Sequence, residues 1–163
     1  MPSQPTALAS TSSGLFVFLH DKIIIITGST KQEFKPRQLR AKIGVGSQNA
    51  VGQDGDILYI YSTANQFLRL SDRVENIGFP LGSYMSDTYD FQPDNVYVTV
   101  HRKGTVSAVF FSNFNNSTTI HFNVSTSTWS TPWAWSRGFN AVQSVQTTLN
   151  EYELLGGKQT EFV

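Results

Sequence analysis

Hydrophobic and polar positions alternate with a period of two through the middle of this chain. Over 95–101, Val96, Val98 and Val100 share one parity, while Tyr97, Thr99 and His101 take the other. Over 117–125, Ile120, Phe122 and Val124 alternate with Thr119, His121 and Asn123. A period of two puts successive side chains on opposite faces of a strand. The run 105–112 between them is rich in Val and Phe, and Gly104 and the Asn-rich 113–116 break the pattern where hairpins need turn residues. Three adjacent antiparallel strands are expected here.

The same reading extends outward. The runs 15–19 and 23–27, joined by His20, Asp21 and Lys22, read as a buried hairpin of β-branched and aromatic residues. The stretch 34–37, with Pro36, resembles a linker. Residues 39–45 read as a half-exposed strand with Arg40 and Lys42 outward, and 47–55 as a Gly- and Asn-rich loop. In 56–62, Ile57, Tyr59 and Tyr61 share one face opposite Leu58 and Ile60. A short strand is expected at 66–70, and mostly loop at 72–94, where Gly78, Pro80, Gly82 and Pro93 interrupt the aromatics. Near the end, Phe139, Val142, Val145, Leu149 and Tyr152 recur every three or four residues, which is one stripe of an α-helix, and Gly156 and Gly157 would stop it. The resulting expectation is mainly β: an antiparallel β-sandwich with one short C-terminal helix. It has an N-terminal Ser/Thr/Pro arm at 1–14 and a single domain over 15–163.

Composition narrows the function classes. The 163 residues carry no formal net charge and only 15% are charged. Nucleic-acid binding needs a cationic surface to displace counterions from phosphates, so it is not expected. The longest apolar runs are far too short for a membrane-spanning helix, and no secretory-signal pattern opens the sequence. The sequence without either reads as a soluble protein, cytoplasmic or released without a classical signal. With no cysteine, disulfides and thiolate metal sites are excluded.

Signatures of catalysis are sparse. His20, His101 and His121 lack the spacing of a metal pair and read as surface or turn histidines. Asp54, Gly55 and Asp56 read as a tight turn, since the later Glu of a calcium loop is missing. No catalytic residue, metal ligand or cofactor is expected. The aromatic surplus says more. Trp129, Trp133 and Trp135 fall within seven residues among Ser, Thr and Pro. Packed inside, they would cap a sandwich core. Exposed, they would form a shelf for the C–H face of a sugar, with Asn, Ser and Thr as hydrogen-bonding neighbours, or for a membrane interface. Tyr59, Tyr61, Tyr84 and Tyr89 suit either use.

The central stretch resembles the actinoporin-like β-sandwich group, which includes sea-anemone cytolysins and fungal fruit-body lectins. The resemblance lies in the alternating strand at 95–101, the run 108–112 ending in Ser112, a polar-aromatic loop, and the strand ending at Asn123 and Val124. It extends to Asn150 to Glu153 near the C-terminal end and to 40–45 upstream. It implies a sandwich and a phosphocholine-type headgroup site in which Ser112 and Tyr152 take part. Two departures stand out: Asn113, Phe114, Asn115 and Asn116 replace a loop richer in Tyr and Trp, and no amphipathic N-terminal helix for pore formation is present.

The leading expectation is therefore a non-enzymatic, lectin-like module that binds a glycan. Its ligand residues would be Trp129, Trp133, Trp135, Ser112, Asn113, Asn115 and Tyr152. The alternatives are an actinoporin-like protein that binds a lipid headgroup, and a β-sandwich domain of a viral capsid or spike. The arm and the apolar hairpin at 15–26 also lead us to expect a homo-oligomer, most simply a symmetric dimer.

Overall fold

A computed structural model describes residues 4–71, 73–103, 106–134, 141–148 and 151–157. Among the described residues the chain is mainly β, with antiparallel sheets and one α-helix. Its contacts fall into two compact units, Met1–Asp94 and Asn95–Val163, where the sequence reads as one domain from residue 15 onward.

In the first unit, β1 (Pro5–Thr11), β2 (Gly14–Leu19), β3 (Lys22–Thr27) and β4 (Lys35–Ala41) form a four-stranded meander. A second meander contains β5 (Val51–Asp54), β6 (Ile57–Tyr61), β7 (Phe67–Leu70) and β8 (Val74–Asn76). The two sheets share one core. Phe16, Phe18, Ile23 and Ile25 of the first meet Leu58, Ile60, Leu68 and Leu70 of the second. All eight are 4% exposed or less, so each contributes roughly 1.5–3 kcal/mol of burial energy. These two sheets pack as a sandwich within the first unit, where the sequence predicts a single sandwich over 15–163.

Several local expectations change. The N-terminal arm is a strand from Pro5 onward. Its polar side chains find fixed partners: Thr6 Oγ1 donates to the Val45 carbonyl at 2.6 Å, and the Gln48 amide makes two bonds with the Leu8 backbone. Most of the linker expected at 34–37 lies inside β4, from Lys35 on, and the loop at 47–55 holds a 3-10 turn at Gln48–Ala50 followed by β5. The turn at Asp54 to Asp56 forms as expected, with Gly55 at a φ of 59°. Tyr59 and Tyr61 are fully buried, which removes them from any exposed shelf.

The second unit contains the three central strands in the expected antiparallel order: β9 (Val96–Lys103), β10 (Val106–Asn113) and β11 (Thr118–Asn123). Two short strands, β12 (Thr128–Trp129) and β13 (Trp133–Ala134), both pair with β11. The C-terminal helix is not present. The chain instead forms a hairpin of β14 (Ala141–Thr148) and β15 (Glu151–Gly157). Val142, Val145, Thr147 and Thr148 are β-branched, and such residues lose side-chain freedom in a helix but pack well on a pleat. Phe139 and Leu149, two of the five residues of the supposed helical stripe, lie outside the described residues.

The helix α1 (Leu81–Tyr89) lies in the stretch expected to be mostly loop. It ends where Asp90 adopts a left-handed conformation at φ 53° and Phe91 N–H returns to the Met85 carbonyl. It is held by tertiary contacts, because Gly82, Ser83, Asp87 and Thr88 are poor helix formers. Gly82 and Met85 are buried. In the same unit Tyr61, Phe67 and Phe91 form a ring cluster with centroid separations of 5.0–6.4 Å, and the Tyr61 hydroxyl donates to the Phe91 carbonyl at 3.1 Å.

Candidate functional site

The residues singled out from the sequence do not converge on one surface. Trp129 pairs in register with Phe122, and Trp133 with Thr119. Phe122 and Thr119 are three apart on β11, so the two indoles lie on opposite faces of the sheet. Trp129 packs on Phe111 and Phe122, with centroids 5.7 and 5.1 Å away. Trp133 meets Phe110 and His121 edge-on at 6.2 and 5.4 Å. Both are half-buried, and they do not form a common shelf. Trp135 lies outside the described residues, and Tyr152 is on β15, whose side chains are likewise outside them.

The polar members of that set serve the local fold. Ser112 and Thr119 are opposite each other, both buried, and share a 2.9 Å hydrogen bond between hydroxyls. Asn113 is fully buried and accepts the Asn115 N–H at 2.8 Å, closing the turn between β10 and β11. Asn115 itself is exposed on that turn. His121 is wedged in the ring cluster with its Nδ1 buried and without a hydrogen-bond partner; burial pushes its pKa down. At neutral pH it is an uncharged imidazole.

A different surface brings together an exposed ring and convergent polar groups. It is built by the loop 62–66 between β6 and β7, and by the segment 76–83 that leads from β8 into α1. The first loop is tight: Ser62 N–H donates to the Gln66 carbonyl at 2.9 Å, Gln66 N–H returns to Ser62 Oγ at 3.2 Å, and Asn65 takes a φ of 53°. Asn tolerates that left-handed conformation better than most residues. In the second segment, Asn76 Oδ1 accepts the Gly78 N–H at 3.1 Å, and Gly82 N–H bonds the Gly78 carbonyl at 3.1 Å. The Phe79–Pro80 peptide is cis.

Two glycines let these segments approach each other. A Cβ on Gly78 would come within 2.7 Å of the Phe67 ring, and one on Gly82 would collide with the Asn65 carbonyl. A bond from Asn65 Nδ2 to Ser86 Oγ at 3.0 Å ties the loop to the helix. Asn65 Oδ1 is buried and has no partner.

The result is a shallow cleft of about 70 Å³ rimmed by Asn65, Gln66, Asn76, Ser83 and Phe79. Every residue lining it is uncharged at all ordinary pH values. Phe79 is 85% exposed, the most exposed large apolar side chain among the described residues. Tyr84, on the second turn of α1, is 49% exposed and meets Tyr89 edge-to-face at 5.8 Å. Its hydroxyl, hydrogen-bonded to Tyr89, raises the Tyr89 phenol above its ordinary pKa.

Enclosed small-molecule pockets typically run from roughly 300 to 1,000 Å³. This cleft is too small to swallow an apolar ligand, but it can seat one edge of a polar one. Amide groups both donate and accept, which matches hydroxyls that do the same. Sequence reasoning noticed Tyr84 but not Phe79. The available signal was the alternation of Gly78, Pro80 and Gly82 around one aromatic, a spacing that exposes a ring on a constrained turn.

Among the described residues there is no cluster of metal-binding side chains, and no helix is long and apolar enough to cross a membrane. No protein-family model matches this chain, and no curated protein is significantly similar to it.

Proposed function

We propose that this protein is a non-enzymatic carbohydrate-binding module and that the cleft beside Phe79 is its binding site. The observation that carries this reading is an almost fully exposed phenyl ring next to uncharged amides. The apolar face of a pyranose packs on the ring, and its hydroxyls bond to Asn65, Gln66, Asn76 and Ser83.

The same exposed rings, Phe79 and Tyr84, also suit a membrane interface. The cleft itself is lined by amides, a hydroxyl and a ring, which match the hydroxyls and apolar face of a sugar more closely than a lipid phosphate.

A glycan array run beside a vesicle pull-down with phosphatidylcholine liposomes separates the two. Glycan binding that falls in Phe79→Ala, with an unchanged melting temperature, is the expected result. Vesicle binding without any glycan signal would replace the carbohydrate reading with the headgroup one.

A further inference from the structure

We infer that the Phe79 cleft is one half of a longer site, and that its preferred ligand is an acidic saccharide whose anionic group is held by Arg40. This rests on the carbohydrate reading above and deepens it. A groove of about 240 Å³ adjoins the cleft and is lined by Arg40, Ile43, Leu68 and Val74 together with Gln66 and Asn76. The last two residues line the cleft as well, so the two hollows meet at a pair of amides. The groove lies where the edge strands of the two sheets, β4 and β8, leave the sandwich open.

Its chemistry differs from that of the cleft. Ile43, Leu68 and Val74 give it apolar walls, and Arg40 adds an exposed guanidinium. Among the described residues no carboxylate forms an ion pair with Arg40. The nearest acid along β8, Glu75, alternates away from Val74 and Asn76 to the other face, where its register partner is Arg69. A guanidinium offers a planar fork of donors that fits a carboxylate or a sulfate through two parallel bonds. A neutral ring on Phe79 and an acidic group at Arg40, bridged by Gln66 and Asn76, would use both hollows at once.

The test measures affinities of the full chain for a neutral galactose-terminated glycan and for its sialylated and sulfated counterparts. At about 0.05 M salt the acidic members should bind about tenfold more tightly, the size expected of one charge-assisted contact. At about 0.5 M salt that preference should shrink, because exposed charges are screened. Arg40→Gln should erase the preference for the acidic members, whereas Phe79→Ala should weaken all three. Equal affinities for neutral and acidic glycans, the same in Arg40→Gln, would overturn this inference and leave the carbohydrate reading standing. Silence toward every glycan would remove both. Arg40-dependent capture by anionic vesicles, with glycans silent, would also remove both and assign the site to lipid phosphate.

Discussion

Ser12 joins two hairpin tips that belong to different sheets: its N–H and its hydroxyl donate to the two carboxylate oxygens of Asp56 at 2.7 and 2.6 Å. Ser12 sits in the turn between β1 and β2, and Asp56 in the turn between β5 and β6. Together with the bond from Gln53 Nε2 to the Ser10 carbonyl at 2.6 Å, this contact fastens the outermost strand of one sheet to the other sheet.

The Ser12 hydroxyl and then its N–H hold the Asp56 carboxyl below its ordinary pKa of 3.8. A carboxyl whose folded value lies below its unfolded one stabilises the fold above the unfolded value and loses that contribution as pH falls through the folded one. Asp56→Ala should therefore melt below the wild type at neutral pH, and the gap should close in acid below the ordinary carboxylate range. Thermal melts of both proteins across that range check it. A gap that does not change with pH would show that the carboxylate charge is not what matters.

Tyr59 and Tyr61 share a strand face and are both fully buried, but their hydroxyls differ. Tyr61 donates to the Phe91 carbonyl, while Tyr59 Oη has no hydrogen-bond partner. Tyr61→Phe should cost about 1–2 kcal/mol, because a buried carbonyl loses its donor. Tyr59→Phe should be neutral or stabilising, because it removes a desolvated group with nothing to bond. Chemical denaturation of the two variants gives the comparison, and equal losses would contradict it.

Gly82 begins α1 against the Asn65 carbonyl. Gly82→Ala has to push the helix or the loop aside, at a cost of about 1–3 kcal/mol despite the better helix propensity of Ala. A melting temperature that rises instead would mean that the two segments are not in contact. Since they form the cleft, the same variant should also weaken ligand binding.

Phe79 and Trp129 should separate binding from stability. With its ring 85% exposed, Phe79→Ala should change stability by no more than about 0.5 kcal/mol. It should weaken ligand binding by roughly 1–3 kcal/mol, the range for loss of one stacking ring. Trp129→Ala removes an indole packed on Phe111 and Phe122 and should cost roughly 3 kcal/mol of folding stability. Melts and isothermal titrations on the same preparations distinguish the two effects.

The strands that can be read from the chain itself are those whose pattern one face dictates. Alternation at 96–100 and 119–123 reappears in β9 and β11 because a strand with one buried face must repeat every two residues, whereas β6 is buried on both faces from Leu58 onward and is legible instead as a short run of β-branched and aromatic residues. The turn around Gly55 was equally legible, since its conformation suits few residues. Elsewhere the deciding partner is remote in sequence. Residues 5–11 carry too few apolar side chains to announce a strand, and they become one because Val45, Gln48 and Gln53 hydrogen-bond them from 39 to 43 residues away. The helical spacing predicted near the C-terminus runs through 141–148, but β-branched side chains and a pairing partner at 151–157 place that segment in a ladder. Residues 81–89 have weak helical propensity and form a helix where Gly82 can approach Asn65. The cleft depends on that same approach. Its aromatic and its amides come from two segments, 62–66 and 76–83, and a side chain's neighbours across such a gap are set by packing, which no local pattern encodes.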